Sequence, residues 1–165
     1  MATLTVTITE SVTLNGAARG STNSLSVTGI NDIYHRIVSC PDDVPLSLAT
    51  FKSTVGAGDT ADLATNLVDL ELAKYIRVTN LSSSHPIVLN LLVDTNQNDT
   101  VSEKSCSLKV EAGKSFVMGT PDQAIDVDDD ANTQNTDVTA LVDLRSIHVD
   151  PISEAVQVEI FIASA

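Results

Sequence analysis

Apolar and polar residues alternate with a period of two through most of the chain. Near the N-terminus Leu4, Val6, Ile8, Val12 and Leu14 all occupy even positions, so a single extended strand would place them on one side. Helical spacing is nowhere sustained over three turns. The pattern therefore predicts an all-β protein.

The same alternation recurs in later segments. It is clearest in "HPIVLNLLVD", which we expect to pair with "SCSLKVEAG", and in the C-terminal "EAVQVEIFIASA". The segment "ARGSTNS" has the composition of a turn. We predict an antiparallel, jelly-roll-like β-sandwich of eight to ten strands with little helix, built from residues 1–165 as one domain. We also expect the first and last strands to lie in the same sheet.

Glu10 interrupts the apolar row at the N-terminus. An unbroken strand of this length would span about 40 Å, which exceeds the height of a small sandwich. We therefore expect the strand to bend, bulge or leave the core near Glu10. Two interpretations stay open: a core strand that reaches solvent at the edge of its sheet, or a segment that passes from its own core toward a neighbouring subunit.

Composition narrows the choice of partners. Apolar residues make up 42% and charged residues 19%, which indicates a globular chain. With 22 Asp and Glu against 9 Lys and Arg, the formal charge is -13, so we expect no nucleic-acid and no membrane partner. Three Phe, two Tyr and no Trp leave few platforms for stacking a ligand. We see no signal-peptide pattern and no apolar run long enough to span a membrane.

Two cysteines, Cys40 and Cys106, lie far apart and in no metal-ligand spacing. Small disulfide-stabilised folds carry denser cysteine frameworks. We favour two reduced thiols, with a disulfide between them as the alternative.

The segment "DTNQNDTVSE" is the best candidate for a metal site. Asp94, Asn96, Asn98 and Asp99 supply oxygen ligands of the kind that a structural calcium ion prefers. However, the segment lacks the glycine and the final glutamate of a helix-flanked calcium loop, and the same residue types favour a plain hairpin turn. The acidic "DVDDD" is either solvated or bridged by a cation. Apart from such a calcium ion we predict no cofactor.

Catalytic signatures are weak throughout the chain. His35, His85 and His148 stand alone, without the paired spacing of a zinc site. No G-x-S-x-G segment is present, and "GAGDT" lacks the third glycine of a phosphate-binding loop. We therefore predict no catalytic residue, and a protein that is not an enzyme.

The remaining candidate function is contact with other proteins. We expect Phe161 and Tyr34 to lie on strand faces opposite the core, and with Glu10, Val12 and Leu14 they form the predicted interface. The alternative is that loops of the same chain cover both aromatic rings.

Several segments together resemble small structural proteins of tailed-bacteriophage virions, especially those of aquatic phages. They are "TVTITESVTLNGAARGSTNSLSVTGINDIYHRIVSCP", "AKYIRVTNLSSSHPIVLNLL", "LKVEAGKSFVM" and "VQVEIFIASA". The resemblance implies a β-sandwich that decorates or completes the particle, either a capsid decoration (cement) protein or a tail, neck or baseplate component.

It further implies a homo-oligomer, with a trimer as one candidate, that binds the major capsid protein or another virion structural protein. The location would be the virion, assembled in the host cytoplasm. We favour capsid decoration. The competing hypotheses from other classes are a calcium-dependent adhesion or carbohydrate-binding β-sandwich module, and an enzyme.

Overall fold

Thirteen strands and no helix make up the regular structure of the described part of the chain. The structure is a computed structural model that describes residues 1–52, 66–94, 103–125, 127 and 141–165, with only the backbone of Asp94 and Glu103. The all-β prediction is confirmed. The strands are β1 Ala2–Thr9, β2 Val12–Leu14, β3 Ala17–Arg19, β4 Thr22–Ile30, β5 Asp32–Cys40, β6 Leu46–Lys52, β7 Leu67–Asp69, β8 Ala73–Asn80, β9 Ile87–Asp94, β10 Glu103–Val110, β11 Ser115–Met118, β12 Leu144–Pro151 and β13 Val156–Ser164.

The predicted count of eight to ten strands is too low. Three of the strands, β2, β3 and β7, have only three residues each. A strand this short contains too few positions to show an alternating pattern. The N-terminal segment moreover forms two strands, β1 and β2, one on each side of Glu10.

Two sheets form the sandwich, with strand orders β10-β9-β12-β6-β7 and β11-β8-β13-β5. The antiparallel pairs are nested along the chain: β5 pairs with β13, β6 with β12, β8 with β11, and β9 with β10. This is the connectivity of one long antiparallel hairpin rolled into two layers, which defines a jelly roll. The jelly-roll prediction is confirmed, with β7 added as a short strand parallel to β6.

The core lies between the two sheets and is filled by aliphatic side chains. On β13 the predicted inward row is buried, as is the corresponding row of β9. The predicted pairing of β9 with β10 is also confirmed over eight residue pairs. The largest fully buried side chains are Leu48, Ile76, Ile87, Leu89, Leu144, Ile147, Ile160 and Ile162.

Asn80 is a buried polar residue at the end of β8. Its amide nitrogen donates to the carbonyl oxygens of His85 at 2.8 Å and Val110 at 3.2 Å. Its side-chain oxygen accepts a hydrogen bond from the backbone amide of Ser82 at 3.0 Å. These bonds satisfy the buried amide and tie the connection between β8 and β9 to the end of β10.

Residues 2–30 belong to neither layer of the sandwich. In the described part of the chain β1 pairs with β4, and β2 pairs with β3. We call this hairpin the arm. The expectation that the first and last strands share a sheet is wrong, because both edges of β13 are occupied by β5 and β8.

Candidate interaction surface

The arm is a two-stranded antiparallel hairpin that runs away from the sandwich. Its two ladders keep one register, since Thr9 lies opposite Thr22, and Val12 opposite Arg19. From Ala2 to the turn after Leu14 the hairpin extends over about 45 Å at the usual rise of a strand.

The turn at the tip of the arm is formed by Asn15 and Gly16. Both residues have positive φ angles, 52° and 76°, as a two-residue type I′ hairpin turn requires. Sequence reasoning placed the turn in "ARGSTNS" instead, whose first residues form β3. The missed signal was Asn-Gly between alternating hydrophobic segments, which strongly indicates a hairpin.

The arm is interrupted at Glu10, as predicted. The backbone amide of Glu10 donates to the carbonyl oxygen of Ser21 at 2.8 Å, and the Ser21 hydroxyl donates to the Glu10 carboxylate at 3.2 Å. Across the hairpin, Gly20 has a φ of 155°, and a Cβ there would collide with the Glu10 carbonyl oxygen. The carboxylate therefore marks a break in an exposed hairpin and does not point into the core.

The two sides of the arm differ in chemistry. One side carries hydroxyl groups that contact each other across the ladder, such as Thr7 with Ser24 at 3.2 Å. The other side carries the aliphatic row that opens the sequence, joined by Leu25 and Val27 from β4. Its distal members are more than half exposed: Ile8 54%, Val12 55%, Leu14 61% and Leu25 52%. Among the predicted interface residues, Val12 and Leu14 thus lie on an exposed apolar side.

The base of the arm packs on the outer face of the sheet that contains β13. There Leu4, Val6 and Val27 contact a small cluster whose buried members are Ile30, Tyr75 and Ala163, together with Phe161. The rings of Tyr75 and Phe161 meet edge to face, with centroids 6.1 Å apart. Phe161 therefore lies opposite the core, as predicted, but its own arm covers it in part.

Charged groups surround the ring of Phe161. The Glu159 carboxylate contacts Arg77 at 2.7 Å and His35 at 2.8 Å. The Arg77 guanidinium lies 5.8 Å from the centroid of the Phe161 ring. An open cleft of about 260 Å³ separates this group from β1. Ionic and cation–π contacts thus surround the Phe161 ring, on which the base of the arm packs.

The predicted surface position of Tyr34 is wrong. Its side chain is only 5% exposed and belongs to the core between the sheets. Its hydroxyl lies 2.9 Å from the Leu48 carbonyl oxygen and 3.0 Å from Asn66 Oδ1. Burial raises the pKa of Tyr34 above 10.0, while Arg36 opposes the shift.

The error on β5 has a physical cause. Arg36 shares the inner side of the strand with Tyr34, and it made that side look solvent-facing in the sequence. In the structure its guanidinium stacks on the Tyr34 ring at 5.0 Å and donates to Asn66 at 3.1 Å. The apolar residues of the other side, Ile33 and Ile37, are exposed instead.

The predicted calcium ligands fall mostly outside the described residues. Asp94 ends β9, with its backbone alone described, whereas Asn96, Asn98 and Asp99 lie outside, as do the aspartates of "DVDDD". Among the described residues no group of three or more His, Cys, Asp and Glu side chains has the arrangement of a metal site. The calcium site stays a prediction.

An open cleft of about 390 Å³ lies on the other sheet. It is lined by residues from β9, β10 and β12 and from the segment before β6: Pro45, Asn90, Leu92, Lys104, Ser105 and His148. These lining residues include no Phe, Tyr or Trp ring to stack against a sugar.

The two cysteines are free thiols, as favoured from the sequence. Cys40 is buried, which raises its pKa to about 11, and Cys106 is half-buried. A thiol that keeps its proton at neutral pH is a poor nucleophile. Cys40 therefore acts as a small apolar core residue.

No family model, no curated protein and no solved structure matches this chain. Among the described residues, no helix is long and apolar enough to cross a membrane.

Proposed function

We propose that the chain is a structural protein of a tailed-bacteriophage virion, and that it acts as a capsid decoration protein. The arm is the assembly element, and the sandwich is the folded body that the arm attaches to its partners. The protein binds the particle surface as a homo-oligomer and contacts the major capsid protein. A tail, neck or baseplate position is the alternative within the same class.

One observation carries the assembly role: the exposed aliphatic row on the distal arm. Four large aliphatic side chains are more than half exposed on the side of the hairpin that also carries Glu10 and Arg19, and no described residue of this chain covers them. Such a surface marks a contact with another protein. An isolated two-stranded hairpin is also marginally stable in water, so a partner would stabilise it.

Two further features support the virion role. Jelly rolls occur among viral capsid proteins, although the same fold also serves lectins and other functions. The sequence segments that resemble phage structural proteins include both the arm and the central strands of the sandwich. The fold alone would not favour a virion protein over a lectin, so the resemblance determines this choice.

The experiment is a count of this protein in purified virions of the phage that encodes it. We expect stoichiometric copies by quantitative mass spectrometry, and density for the sandwich on the outside of the capsid by electron cryomicroscopy. Absence of the protein from purified particles would overturn the proposal. Density on the tail or neck would select the alternative position.

A matched pair of variants tests the role of the arm in the same particles. Leu14→Asp places a charge on the apolar side of the tip, and Thr13→Asp places the same charge on the opposite side one residue away. We expect Leu14→Asp to remain soluble in the lysate and to be lost from virions, whereas Thr13→Asp is retained. Equal incorporation of both variants would contradict an assembly role for the apolar side.

A further inference from the structure

The distribution of charge separates the arm from the rest of the molecule. Residues 1–31 contain two charged side chains, Glu10 and Arg19, whose charges cancel. The whole formal charge of -13 therefore lies beyond the arm. Two copies of this chain repel each other through their sandwiches, while their arms carry no net side-chain charge to oppose contact.

The two long strands of the arm, β1 and β4, contain no charged residue. Among the described strands longer than four residues, β1 and β4 are the two without an Asp, Glu, Lys, Arg or His. Proteins commonly protect exposed edges with charged residues or proline, and the first proline of the chain is Pro41. The arm is therefore well suited to contact a surface as apolar and neutral as itself.

We propose that the arm binds the arm of a second copy of this chain, apolar side to apolar side, about a two-fold axis. The axis passes between the level of Glu10 and the level of Val12. This deepens the proposed function by naming the partner of the arm, and it rests on that function only in treating the arm as an assembly element.

Self-complementarity of the exposed side fixes the position of the axis. A level is a pair of residues that lie opposite each other on this side of the hairpin. Toward the tip of the arm, the successive levels are Ile8 with Asn23, Glu10 with Ser21, Val12 with Arg19, and Leu14 with Ala17. A two-fold axis between the second and third levels reverses their order in the partner. Each Ile8 then packs on Leu14 of the second copy, and each Glu10 lies diagonally across the contact from Arg19 of the second copy, one strand to the side. An isologous contact of this kind satisfies both apolar pairs and both charge pairs at once.

The same geometry keeps the acidic sandwiches apart. Five to seven residues separate the base of the arm, at Leu4 and Val6, from the axis, so each base stands roughly 20 Å from the axis. Two bases about 40 Å apart still lie beyond the screening length of about 8 Å at physiological salt. A single hairpin side also buries less than the roughly 800 Å² per partner of a standard interface, so the dimer is reversible and depends on concentration.

The first test is the mass of the purified chain in solution, measured by light scattering across a concentration series. We expect a shift from one copy to two as the concentration rises. Leu14→Asp should raise the dissociation constant of the dimer by about tenfold or more, whereas Thr13→Asp should raise it by less than about threefold. The mass of one copy at every concentration, or equal weakening by the two variants, would overturn the proposal.

The second test exploits the crossed charge pair. Glu10→Arg alone places two arginines together at each contact, and Arg19→Glu alone places two glutamates together, so each purified variant should dimerise less tightly than the natural chain. An equimolar mixture of the two restores both opposite-charge pairs in the mixed dimer. We expect the mixture to regain dimer at concentrations where each variant alone is monomeric. A mixture no heavier than its components would contradict the position of the axis.

These outcomes separate the two proposals. A chain that stays monomeric in solution but is present in stoichiometric copies in virions would overturn the arm-to-arm contact and leave the virion role intact. A chain that dimerises through Glu10 and Arg19 but is missing from particles would do the reverse.

Discussion

The sandwich buries the apolar side of its strands, whereas the distal arm exposes it. On β9 the inward row is at most 3% exposed, and it consists of Ile87, Leu89, Leu91 and Val93. On the distal arm the corresponding row, Ile8, Val12, Leu14 and Leu25, is 52–61% exposed. Both rows have the same period and similar residues. Alternation therefore specifies which side of a strand is apolar, but not which surface covers that side.

The two apolar rows differ in exposure because a second sheet packs on one of them and not on the other. The inner side of β9 faces a second sheet of the same chain, because the nested pairing folds one long hairpin onto itself. The arm lies before the first strand of that hairpin, and the residues that the structure describes provide no second layer beyond its base. Its proximal residues are half-buried on the outer face of the sandwich, and its distal residues extend past it.

The largest predicted contrast is between two leucines. Leu89→Ala in the core should lower the free energy of unfolding by about 2 to 5 kcal/mol, since it leaves a cavity among packed side chains. Leu14→Ala at the tip of the arm should change the free energy of unfolding of the monomer by less than about 0.5 kcal/mol. Urea unfolding at low protein concentration measures both. Similar losses for the two variants would show that the arm packs as tightly as the core.

The next effect concerns the buried amide of the sandwich. Asn80→Leu removes the groups that pair with the carbonyl oxygens of His85 and Val110. It should cost about 1 to 3 kcal/mol, because buried polar groups are left without partners. The measurement is again urea unfolding, with Asn23→Leu on the exposed arm as the control. Equal stability of the Asn80 variant and the natural chain would contradict this role.

A smaller and local effect is expected at the break in the arm. In Gly20→Ala the new Cβ collides with the Glu10 carbonyl oxygen at a φ of 155°, a conformation that costs about 1 to 3 kcal/mol for other residues. We expect faster amide hydrogen exchange in residues 8–23, with no change in the sandwich. A drop in the unfolding midpoint of the whole protein would show that arm and sandwich are one cooperative unit.

The last effect depends on pH and is absent at neutral pH. Burial raises the pKa of Cys40 to about 11 from an ordinary value of 9.0, so the folded chain keeps this proton where the unfolded chain loses it. The resulting stability is complete below pH 9 and is lost as the pH rises toward 11. Unfolding of the natural chain should therefore become easier over this window than unfolding of Cys40→Ala. Parallel stability curves for the two proteins would contradict the shifted pKa.

Sequence reasoning found the sandwich because long strands carry their own signal. The alternating rows of β9 and β13 each span eight or nine residues, which is enough to separate a buried side from an exposed one. The pairing of β9 with β10 followed from their proximity along the chain. The three-residue strands β2, β3 and the parallel β7 carry no comparable pattern.

The arm and β5 were harder for specific reasons. The Asn15–Gly16 turn was overlooked because the following residues, rich in Gly and Ser, resembled a longer turn. On β5 an inward arginine stacked on Tyr34 reversed the apparent facing of the strand. Glu10 was identified as a break from its place in the apolar row and from strand length. The direction in which the strand leaves the core depends on contacts with Phe161 and Tyr75, which lie far along the chain.

The most direct test of the account is amide hydrogen exchange of the natural chain at low and high protein concentration. If the arm carries the contact between copies, amides in β1 to β4 exchange more slowly at high concentration, while amides in β5 to β13 exchange equally at both. Arm amides that exchange at the same rate at both concentrations, or concentration-dependent protection confined to the sandwich, would contradict it.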